Sequence, residues 1–465
     1  MIKDISNFQN VFFIGIAGVG MSAIAQYLKG IGKEVSGSDR YFHPDEFNPT
    51  KNLLEAEGIQ CFLQDGSGIS EDTDLVVVST AIEDTVFEVQ KAKALSIPII
   101  KRSELLAIIA QSKKTIAVAG TSGKSTTSAM LYQILNDAGL SPSIISGAGL
   151  TSLIKQGKIG NAAVGKGEWL IIEADESDGS VVQYKPEIGL LLNIDKDHQE
   201  IDELIQLFTI FKGNTHHRFI VNQSNLLAKD LSSDKSSDFG FETPEAGYCI
   251  TDFHQEGFHL SFRIQNQVFE MNAIGRHSAE NAAAAIAVAH SVGVSLEVCA
   301  QSLAQYEGIY RRHQILGQKN GVWVIDDYAH NPAKCASSIK ACQLVAGEGR
   351  LITWFQPHGY KPTRFLKQDF IDEISAALRP QDEILMSEIF YAGGTAVKDI
   401  SANDLVSGIK EKGENATFIE HRADIIPYLS QHLNTGDILL LMGARDPSLE
   451  TFAKEVFNGL LANSF

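Results

Sequence analysis

The sequence predicts an α/β protein of three domains, each built on an open sheet with helices packed against it. Three observations lead to this prediction. Short apolar runs alternate with helical patterns up to about residue 112, a glycine-rich loop follows a strand near residue 113, and a third series of strands and helices follows residue 313. We therefore place the domains at 1–112, 113–312 and 313–465, each long enough to bury its own core.

The amino-acid composition indicates a soluble globular protein. Hydrophobic residues make up 44% and charged residues 21%, as in soluble globular proteins, and the net charge of −18 argues against a nucleic-acid partner. The five cysteines have no zinc-binding spacing and suit a reducing compartment. No signal peptide is evident, and the apolar run 11–25 is too short to span a membrane. We expect a cytoplasmic protein, a monomer or weak homodimer, that acts on small molecules.

The central domain opens with a phosphate-binding pattern, in which a strand at 115–119 leads through a glycine-rich loop into a helix. Backbone N–H groups of such a loop converge on an anion, and the helix dipole favours it. The loop and helix start comprise Gly120, Thr121, Ser122, Gly123, Lys124, Ser125 and Thr126. Lys124 would reach the outer phosphates, and the Ser125 hydroxyl would bind Mg²⁺. Val118 replaces the first glycine of the full pattern, so the alternative is a glycine turn before an ordinary helix.

A second glycine turn lies in the first domain, between its first strand and a helix that begins at Met21. The turn contains Gly15, Ala17, Gly18 and Gly20. Asp39 ends the next strand about 20 residues later, where a dinucleotide-binding fold places its ribose acid. Ala17 breaks the strict dinucleotide pattern, so NAD is not required, but a diphosphate still fits. Alternatively, the glycines serve only close packing of helix and strand.

Acidic and imidazole groups follow other predicted strands, at the sheet edge where parallel sheets bind ligands. The strand 169–175 runs into an acidic cluster that begins at Glu173, and the strand 188–194 leads to His198. Glu173 and His198 could bind Mg²⁺ beside Ser125, although His198 could equally be a structural hydrogen-bonding residue. In the third domain, Asp326, Asp327 and His330 also follow a strand.

An alanine-rich helix carries His277 and Asn281 one turn apart. That spacing places an imidazole and a carboxamide on one helix face, suited to stacking on and hydrogen-bonding a purine. The alternative is a helix cap with a surface histidine.

Taken together, these motifs resemble the Mur ligase family of ATP-dependent enzymes, which add amino acids to the peptidoglycan precursor. The resemblance rests on GTSGKSTT (120–127), EADESD (173–178), NIDKDH (193–198), GRHSAENAAAA (275–285), YRR (310–312) and DDYAHNP (326–332). Within the family, the chain is most similar to the UDP-N-acetylmuramate–L-alanine ligases and the related murein peptide ligases. The motifs that indicate this are GIAGVGMSAIA (15–25), SGSD (36–39), STAI (79–82) and FQPH (355–358).

The resemblance implies a Rossmann-like N-terminal domain for the UDP-sugar, a P-loop ATPase-like central domain and a Rossmann-like C-terminal domain. It implies ATP and Mg²⁺ as cofactors, with metal ligands Ser125, Glu173 and His198. The nucleotide would contact the phosphate loop, His277, Asn281, Arg312 and Asp327. Catalytic roles would fall to Lys124, His198, His330 and Arg312. Substrate would contact Gly15, Ala17, Gly18, Gly20, Ser38, Asp39, Ser177, Asp178, His358 and Arg364.

The implied reaction is ADP-forming ligation of L-alanine to the carboxylate of UDP-N-acetylmuramate through an acyl phosphate. One alternative is a murein peptide recycling ligase, or a family member with another acceptor or amine. A second is an inactive nucleotide-binding regulatory protein.

The chain departs from the resemblance at several positions, which leaves the acceptor and the amino acid open. Ser122 and Ser125 replace a usual His and Thr, and Gln64 replaces a His near the uracil. Gly359 and Pro362 replace two substrate-binding arginines, for which Arg364 is expected to compensate. Lys212 lies near the position of a carbamylated lysine of the family, but a plain surface lysine is the favoured interpretation.

Overall fold

The computed structural model describes residues 2–44, 47–79, 82–195, 200–391, 397–446 and 448–460. It forms two compact units. The first comprises Met1–His254, Ser261–Asn272 and Arg276–Tyr310, and the second comprises Gln255–Leu260, Ala273–Gly275 and Arg311–Phe465. The first two predicted domains share one unit, so the boundary at residue 112 stays a prediction. Within the described residues, no helix has both the length and the apolar character needed to cross a membrane.

The N-terminal part of the first unit is a parallel sheet in the order β3-β2-β1-β4-β5, which confirms the predicted α/β alternation. Its strands are β1 (Asn10–Ile14), β2 (Glu34–Asp39), β3 (Gln60–Leu63), β4 (Leu75–Val78) and β5 (Ile99–Lys101). Its helices are α1 (Val19–Gly30), α2 (Pro49–Ala56), α3 (Phe87–Ala94) and α4 (Arg102–Gln111). β1 is buried on both faces because helices cover both sides of the sheet.

The central part of the first unit contains a sheet in the order β11-β10-β6-β9-β7-β8. Its strands are β6 (Lys114–Ala119), β7 (Ser143–Ile145), β8 (Ala162–Ala163), β9 (Trp169–Ala174), β10 (Ile188–Leu191) and β11 (Arg218–Val221). The first three helices here are α5 (Lys124–Asp137), α6 (Thr151–Ile154) and α7 (Ile201–Asn214). β6 pairs in parallel with β10 on one side and β9 on the other, so the loops after these three strands meet at one edge.

A smaller sheet in the order β12-β13-β14-β15 follows. It comprises β12 (Phe239–Phe241), β13 (Tyr248–Glu256), β14 (His259–Ile264) and β15 (Gln267–Asn272). β12 pairs in parallel with β13. The next helices are α8 (Arg276–Ser291) and α9 (Leu296–Ala304).

The second unit carries the predicted second α/β sheet, in the order β16-β17-β21-β18-β19-β20. The strands are β16 (Gln314–Lys319), β17 (Val322–Asp327), β18 (Leu351–Gln356), β19 (Glu383–Met386), β20 (Ala416–Phe418) and β21 (Ile438–Gly443). The helices are α10 (Pro332–Ala346), α11 (Tyr360–Phe365), α12 (Lys367–Ala377), α13 (Ala402–Glu411), α14 (Ile425–His432) and α15 (Leu449–Gly459). The last strand, β21, lies between β17 and β18 and runs parallel to both.

One hydrophobic core runs through the N-terminal and central sheets of the first unit and includes Phe13, Leu28, Ile172 and Phe208. The buried Asn161 adds polar contacts between the two parts. Its Nδ2 donates to the carbonyl of Val19 at 2.8 Å, and its Oδ1 accepts from Gln26 at 2.7 Å. Because buried amides are costly to leave unpaired, these bonds fix α1 on the central sheet.

Candidate active site

The phosphate loop predicted from the sequence lies between β6 and α5. Gly120 has φ of 136° and Gly123 has φ of 84°, conformations that favour glycine. A Cβ atom at Gly123 would come within 2.5 Å of Asn281 Oδ1. Asn281, predicted to recognise a base, is therefore packed against the loop that is predicted to bind the phosphates.

Asn193, which the sequence interpretation did not select, holds the loop in shape. Its Oδ1 accepts from Thr121 Oγ1 at 2.8 Å and from the Ser122 amide at 2.9 Å, and its Nδ2 donates to the Ser122 carbonyl at 3.1 Å. The residue belongs to the loop after β10, next to β6 in the sheet. Asn193 could have been selected from the sequence, because it follows a predicted strand and belongs to the NIDKDH motif.

Lys124 is the first residue of α5, and its ammonium lies over the loop. Nζ donates to the Gly120 carbonyl and to Glu176 Oε2, both at 2.7 Å. The Glu176 side chain is only 5% exposed. Burial raises the pKa of Glu176, while the charge and hydrogen bond of Lys124 oppose that shift. Glu176 therefore holds the Lys124 ammonium beside the phosphate loop.

Ser125 and Glu173 meet beside Lys124. The Ser125 hydroxyl donates to Glu173 Oε2 at 2.9 Å, and Oε1 accepts from Ser146 Oγ at 2.8 Å and from the Gly147 amide at 2.6 Å. A hydroxyl and a carboxylate are hard oxygen ligands that suit Mg²⁺, which binds few protein groups and completes its shell with phosphate oxygens and water. These two residues therefore fit the predicted metal.

The structure describes some, but not all, of the other residues predicted for this region. Within the described residues, no group of three or more His, Cys, Asp or Glu side chains is arranged to hold a metal. His198 lies outside the described residues, as do Thr80 and Ala81 of the STAI motif. His277 is exposed at the start of α8, one turn before the buried Asn281. Thr126 is half-buried in the first turn of α5.

Lys212 lies on α7, and its Nζ approaches the Ser232 carbonyl at 3.4 Å. No contact between Lys212 and Ser125 or Glu173 is seen in the described residues.

The glycine turn of the first domain is fixed by the end of β2. The amides of Gly15 and Ile16 donate to the Ser38 carbonyl at 2.8 and 3.0 Å, and the Ala17 amide donates to Asp39 Oδ2 at 2.9 Å. Asp39 is buried. Its carboxylate therefore shapes the turn, a role that the sequence interpretation did not assign to it.

Arg102, which was not predicted, lies at the helix end of the same turn. A Cβ atom at Gly20 would come within 3.1 Å of the Arg102 side chain. The guanidinium also pairs with Asp178 Oδ2 at 3.3 Å. Two predicted substrate-binding positions, Gly20 and Asp178, are thus brought together by one arginine. Ser177, beside Asp178, donates its amide to Asp175 at 3.1 Å.

In the second unit, Asp327 is buried at the end of β17. Its oxygens accept from the His313 amide at 2.9 Å and from Ser338 Oγ at 3.0 Å. Burial alone would raise its pKa, but His313, Arg312 and these hydrogen bonds together lower it. Arg312 itself is exposed and lies over the Tyr328 ring, 5.7 Å from its centroid. Asp327 therefore stays ionised beside an exposed guanidinium.

His330 and His358 lie together at the same edge of this sheet, with ring centroids 5.7 Å apart. His330 Nδ1 donates to the Tyr328 carbonyl at 2.9 Å, which leaves Nε2 as an acceptor. Burial lowers the pKa of His330, and burial together with His330 and Arg445 lowers the pKa of His358 to about 4. Both rings are therefore neutral at neutral pH.

The comparisons with known proteins cover nearly the whole chain. The model of the Mur ligase family catalytic domain matches residues 10–114, that of the Mur ligase middle domain matches 118–289, and that of the Mur ligase glutamate ligase domain matches 311–445. The UDP-N-acetylmuramate–L-alanine ligase of Pelotomaculum thermopropionicum is 34% identical over 94% of this chain and 95% of its own length. The chain belongs to the Mur ligase family.

Further similar proteins are also Mur ligases. A protein of the same name from Carboxydothermus hydrogenoformans is 35% identical over 93% of each chain. Among solved structures, the UDP-N-acetylmuramate–alanine ligase of Thermotoga maritima aligns with a TM-score of 0.78 and 23% identity, over 97% of this chain and 98% of that one. A murein peptide ligase of Psychrobacter arcticus aligns with a TM-score of 0.66 and 20% identity, over 98% and 100% of the chains. At these identities the structural matches establish the fold, as the sequence predicted.

Proposed function

We propose that the chain is an ATP-dependent, ADP-forming ligase that joins L-alanine to the carboxylate of UDP-N-acetylmuramate. The observation that carries this proposal is the arrangement of Lys124, Ser125 and Glu173 at one sheet edge, in a chain whose curated relatives bear the name of that activity. We place the reaction in the cytoplasm, where nucleotide-linked substrates are present and cysteines remain reduced.

The phosphate loop would bind the outer phosphates of ATP. Its backbone amides and the Lys124 ammonium supply the positive charge that a transferring phosphoryl group needs. Ser125 and Glu173 would hold Mg²⁺, which would neutralise phosphate charge when bound. Glu176 positions Lys124, since its buried carboxylate fixes Nζ over the loop. Asn281, packed on the loop, would contact the adenine together with His277.

The chemistry has two steps. A carboxylate oxygen of the acceptor attacks the γ-phosphorus of ATP, and the bond to the leaving ADP oxygen breaks. The neutral amine of the amino acid then attacks the acyl carbon, and inorganic phosphate leaves as the amide forms. One amine proton must be removed, and His330 Nε2, neutral and without a proton, is suited to accept it.

The main alternative is a murein peptide recycling ligase, whose amine is a short peptide. The segment 355–365 favours it, because Gly359 and Pro362 stand where the resemblance expects arginines. An inactive regulatory protein would retain the nucleotide site but would have no need of an intact Ser125–Glu173 pair beside Lys124.

Phosphate release from MgATP in the presence of UDP-N-acetylmuramate distinguishes these functions when a panel of amino acids and short peptides is tested. We expect release that requires both UDP-N-acetylmuramate and L-alanine. Release with a tripeptide but not with L-alanine would replace the proposal with the recycling ligase. ATP binding without release across the panel would favour the regulatory protein.

A further inference from the structure

Three side chains converge at the carboxyl edge of the sheet in the second unit. β21 lies between β17 and β18, with Met442 opposite both Asp327 and Phe355. Arg445 follows β21 by two residues, His330 follows β17 by three, and His358 follows β18 by two. Open α/β sheets bind ligands outside the carboxyl ends of their parallel strands. Arg445 is therefore placed between the two histidines.

The positive charge of this cluster comes from arginine, because both imidazoles are neutral at neutral pH. The Arg445 guanidinium is close enough to lower the pKa of both His330 and His358. His358 Nδ1 is buried and has no hydrogen-bond partner among the described residues. The cluster thus combines one cation with an imidazole nitrogen whose hydrogen-bonding capacity is unused.

Arg445 itself is exposed and makes no hydrogen bond or ion pair with any residue that the structure describes. Its neighbour Asp446 is occupied by Arg422, at 2.7 Å. The backbone of Arg445 is left-handed, with φ of 64°, a conformation that glycine adopts more easily than arginine. Within the described part of the chain, a guanidinium without a partner therefore follows β21 on a backbone conformation that does not favour arginine.

The other residue expected to compensate for missing arginines is less suitable. Arg364 is paired with Asp399, so its charge is already partly neutralised. Gly359 has φ of 73° and caps α11, so an arginine at that position would itself be strained. A guanidinium near His358 is available from the end of β21 rather than from the 355–365 segment.

We propose that Arg445 and His358, beside the proposed base His330, form a subsite for a substrate carboxylate. This inference rests on the proposed function and deepens it. A planar guanidinium binds a carboxylate through two parallel hydrogen bonds, and the neutral His358 imidazole can donate a third without repelling the arginine. The carboxylate belongs either to the amino acid or to the sugar acid, and the subsite supplies the specificity that the altered 355–365 segment does not.

Steady-state kinetics of Arg445→Gln and Arg445→Lys test the subsite, with KM measured separately for L-alanine, UDP-N-acetylmuramate and ATP. We expect Arg445→Gln to raise KM for one of the two carboxylate substrates about tenfold or more, as loss of a charge-assisted bond does, with KM for ATP within about twofold of the original. For Arg445→Lys, we expect a KM for the same substrate between those of the original protein and Arg445→Gln. The substrate whose KM rises identifies the source of the carboxylate.

Lys410→Gln is the matched control, since it removes one exposed cation from α13 of the same unit and should leave all three constants unchanged. Unchanged KM values for both carboxylate substrates in Arg445→Gln would overturn the proposal. So would an increase confined to ATP, which would indicate a phosphate contact instead.

A binding measurement separates this proposal from the proposed function. Histidine ring signals are followed by NMR while L-alanine, L-alaninamide or UDP-N-acetylmuramate is added to the full chain, and His330→Gln and His358→Gln assign the two rings. We expect a carboxylate ligand to shift the His358 signal in the original protein but not in Arg445→Gln, even if the wild type releases no phosphate with L-alanine. No shift with either carboxylate ligand, or an equal shift with the amide, would overturn the subsite.

Discussion

Lys124→Ala is expected to lower kcat by at least about a thousandfold while the fold is retained. The ammonium lies over the phosphate loop, 2.7 Å from the Gly120 carbonyl, and would stabilise the charge of the transferring phosphoryl group. The measurement is phosphate release with saturating substrates, together with thermal unfolding of the same preparation.

The controls separate catalysis from stability. Lys114→Ala removes an exposed lysine from the start of β6, the strand that leads into the phosphate loop, where it pairs with Glu168, and it should keep full turnover. Lys124→Ala also removes the cation that pairs with the buried carboxylate of Glu176, which costs stability. The double variant Lys124→Ala with Glu176→Gln should recover that stability without recovering turnover. Near-normal turnover in Lys124→Ala would refute the assignment of the phosphate loop.

Glu173→Gln is expected to lower kcat by about a hundredfold or more and to raise the Mg²⁺ concentration needed for half-maximal activity. The substitution removes the charge while it keeps the size of a side chain that accepts bonds from Ser125, Ser146 and the Gly147 amide. A Mg²⁺ titration of activity distinguishes a metal ligand from a residue that only braces the loop.

Glu168→Gln provides the comparison, because Glu168 precedes β9 at the opposite end of the strand that carries Glu173. Its Mg²⁺ requirement should match that of the unmodified protein. If Glu173→Gln loses activity but shows an unchanged Mg²⁺ requirement, Glu173 is structural rather than a metal ligand.

Local sequence patterns predicted most of the elements. The end of β2 at Asp39 and the start of α5 at Lys124 agree with the prediction. The glycine-rich loop before Lys124 specifies that helix start within a few residues. The rule that parallel strands present their carboxyl ends at one edge also predicted that Glu173 would lie near Ser125. These features depend on short stretches of chain or on a general property of parallel sheets.

Features that depend on the order of strands could not be predicted. The sequence does not reveal that the last strand, β21, inserts between β17 and β18, and this insertion is what brings Arg445 to the two histidines. Likewise, Asn193 reaches Ser122 across 71 residues of sequence, and Arg102 reaches Asp178 across 76. Contacts over such separations are set by tertiary packing, which one sequence does not record.

The sequence also did not predict which partners the polar side chains meet in the folded protein. Asp39 was expected to face a ligand, but it also accepts a bond from the Ala17 amide, and Arg364 was expected to be available but is paired with Asp399. A motif gives the residue type at a position. The partner that the side chain meets in the folded protein decides whether it remains available to a ligand.

The most direct test of the proposed mechanism follows oxygen from the acceptor carboxylate. UDP-N-acetylmuramate labelled with ¹⁸O in its carboxylate is incubated with the protein, MgATP and L-alanine, and the released phosphate is analysed by mass spectrometry. An acyl phosphate transfers one carboxylate oxygen to each phosphate, so we expect one ¹⁸O atom in the phosphate for each amide formed. Released phosphate without ¹⁸O would mean that water attacks ATP, which would contradict ligation by this route.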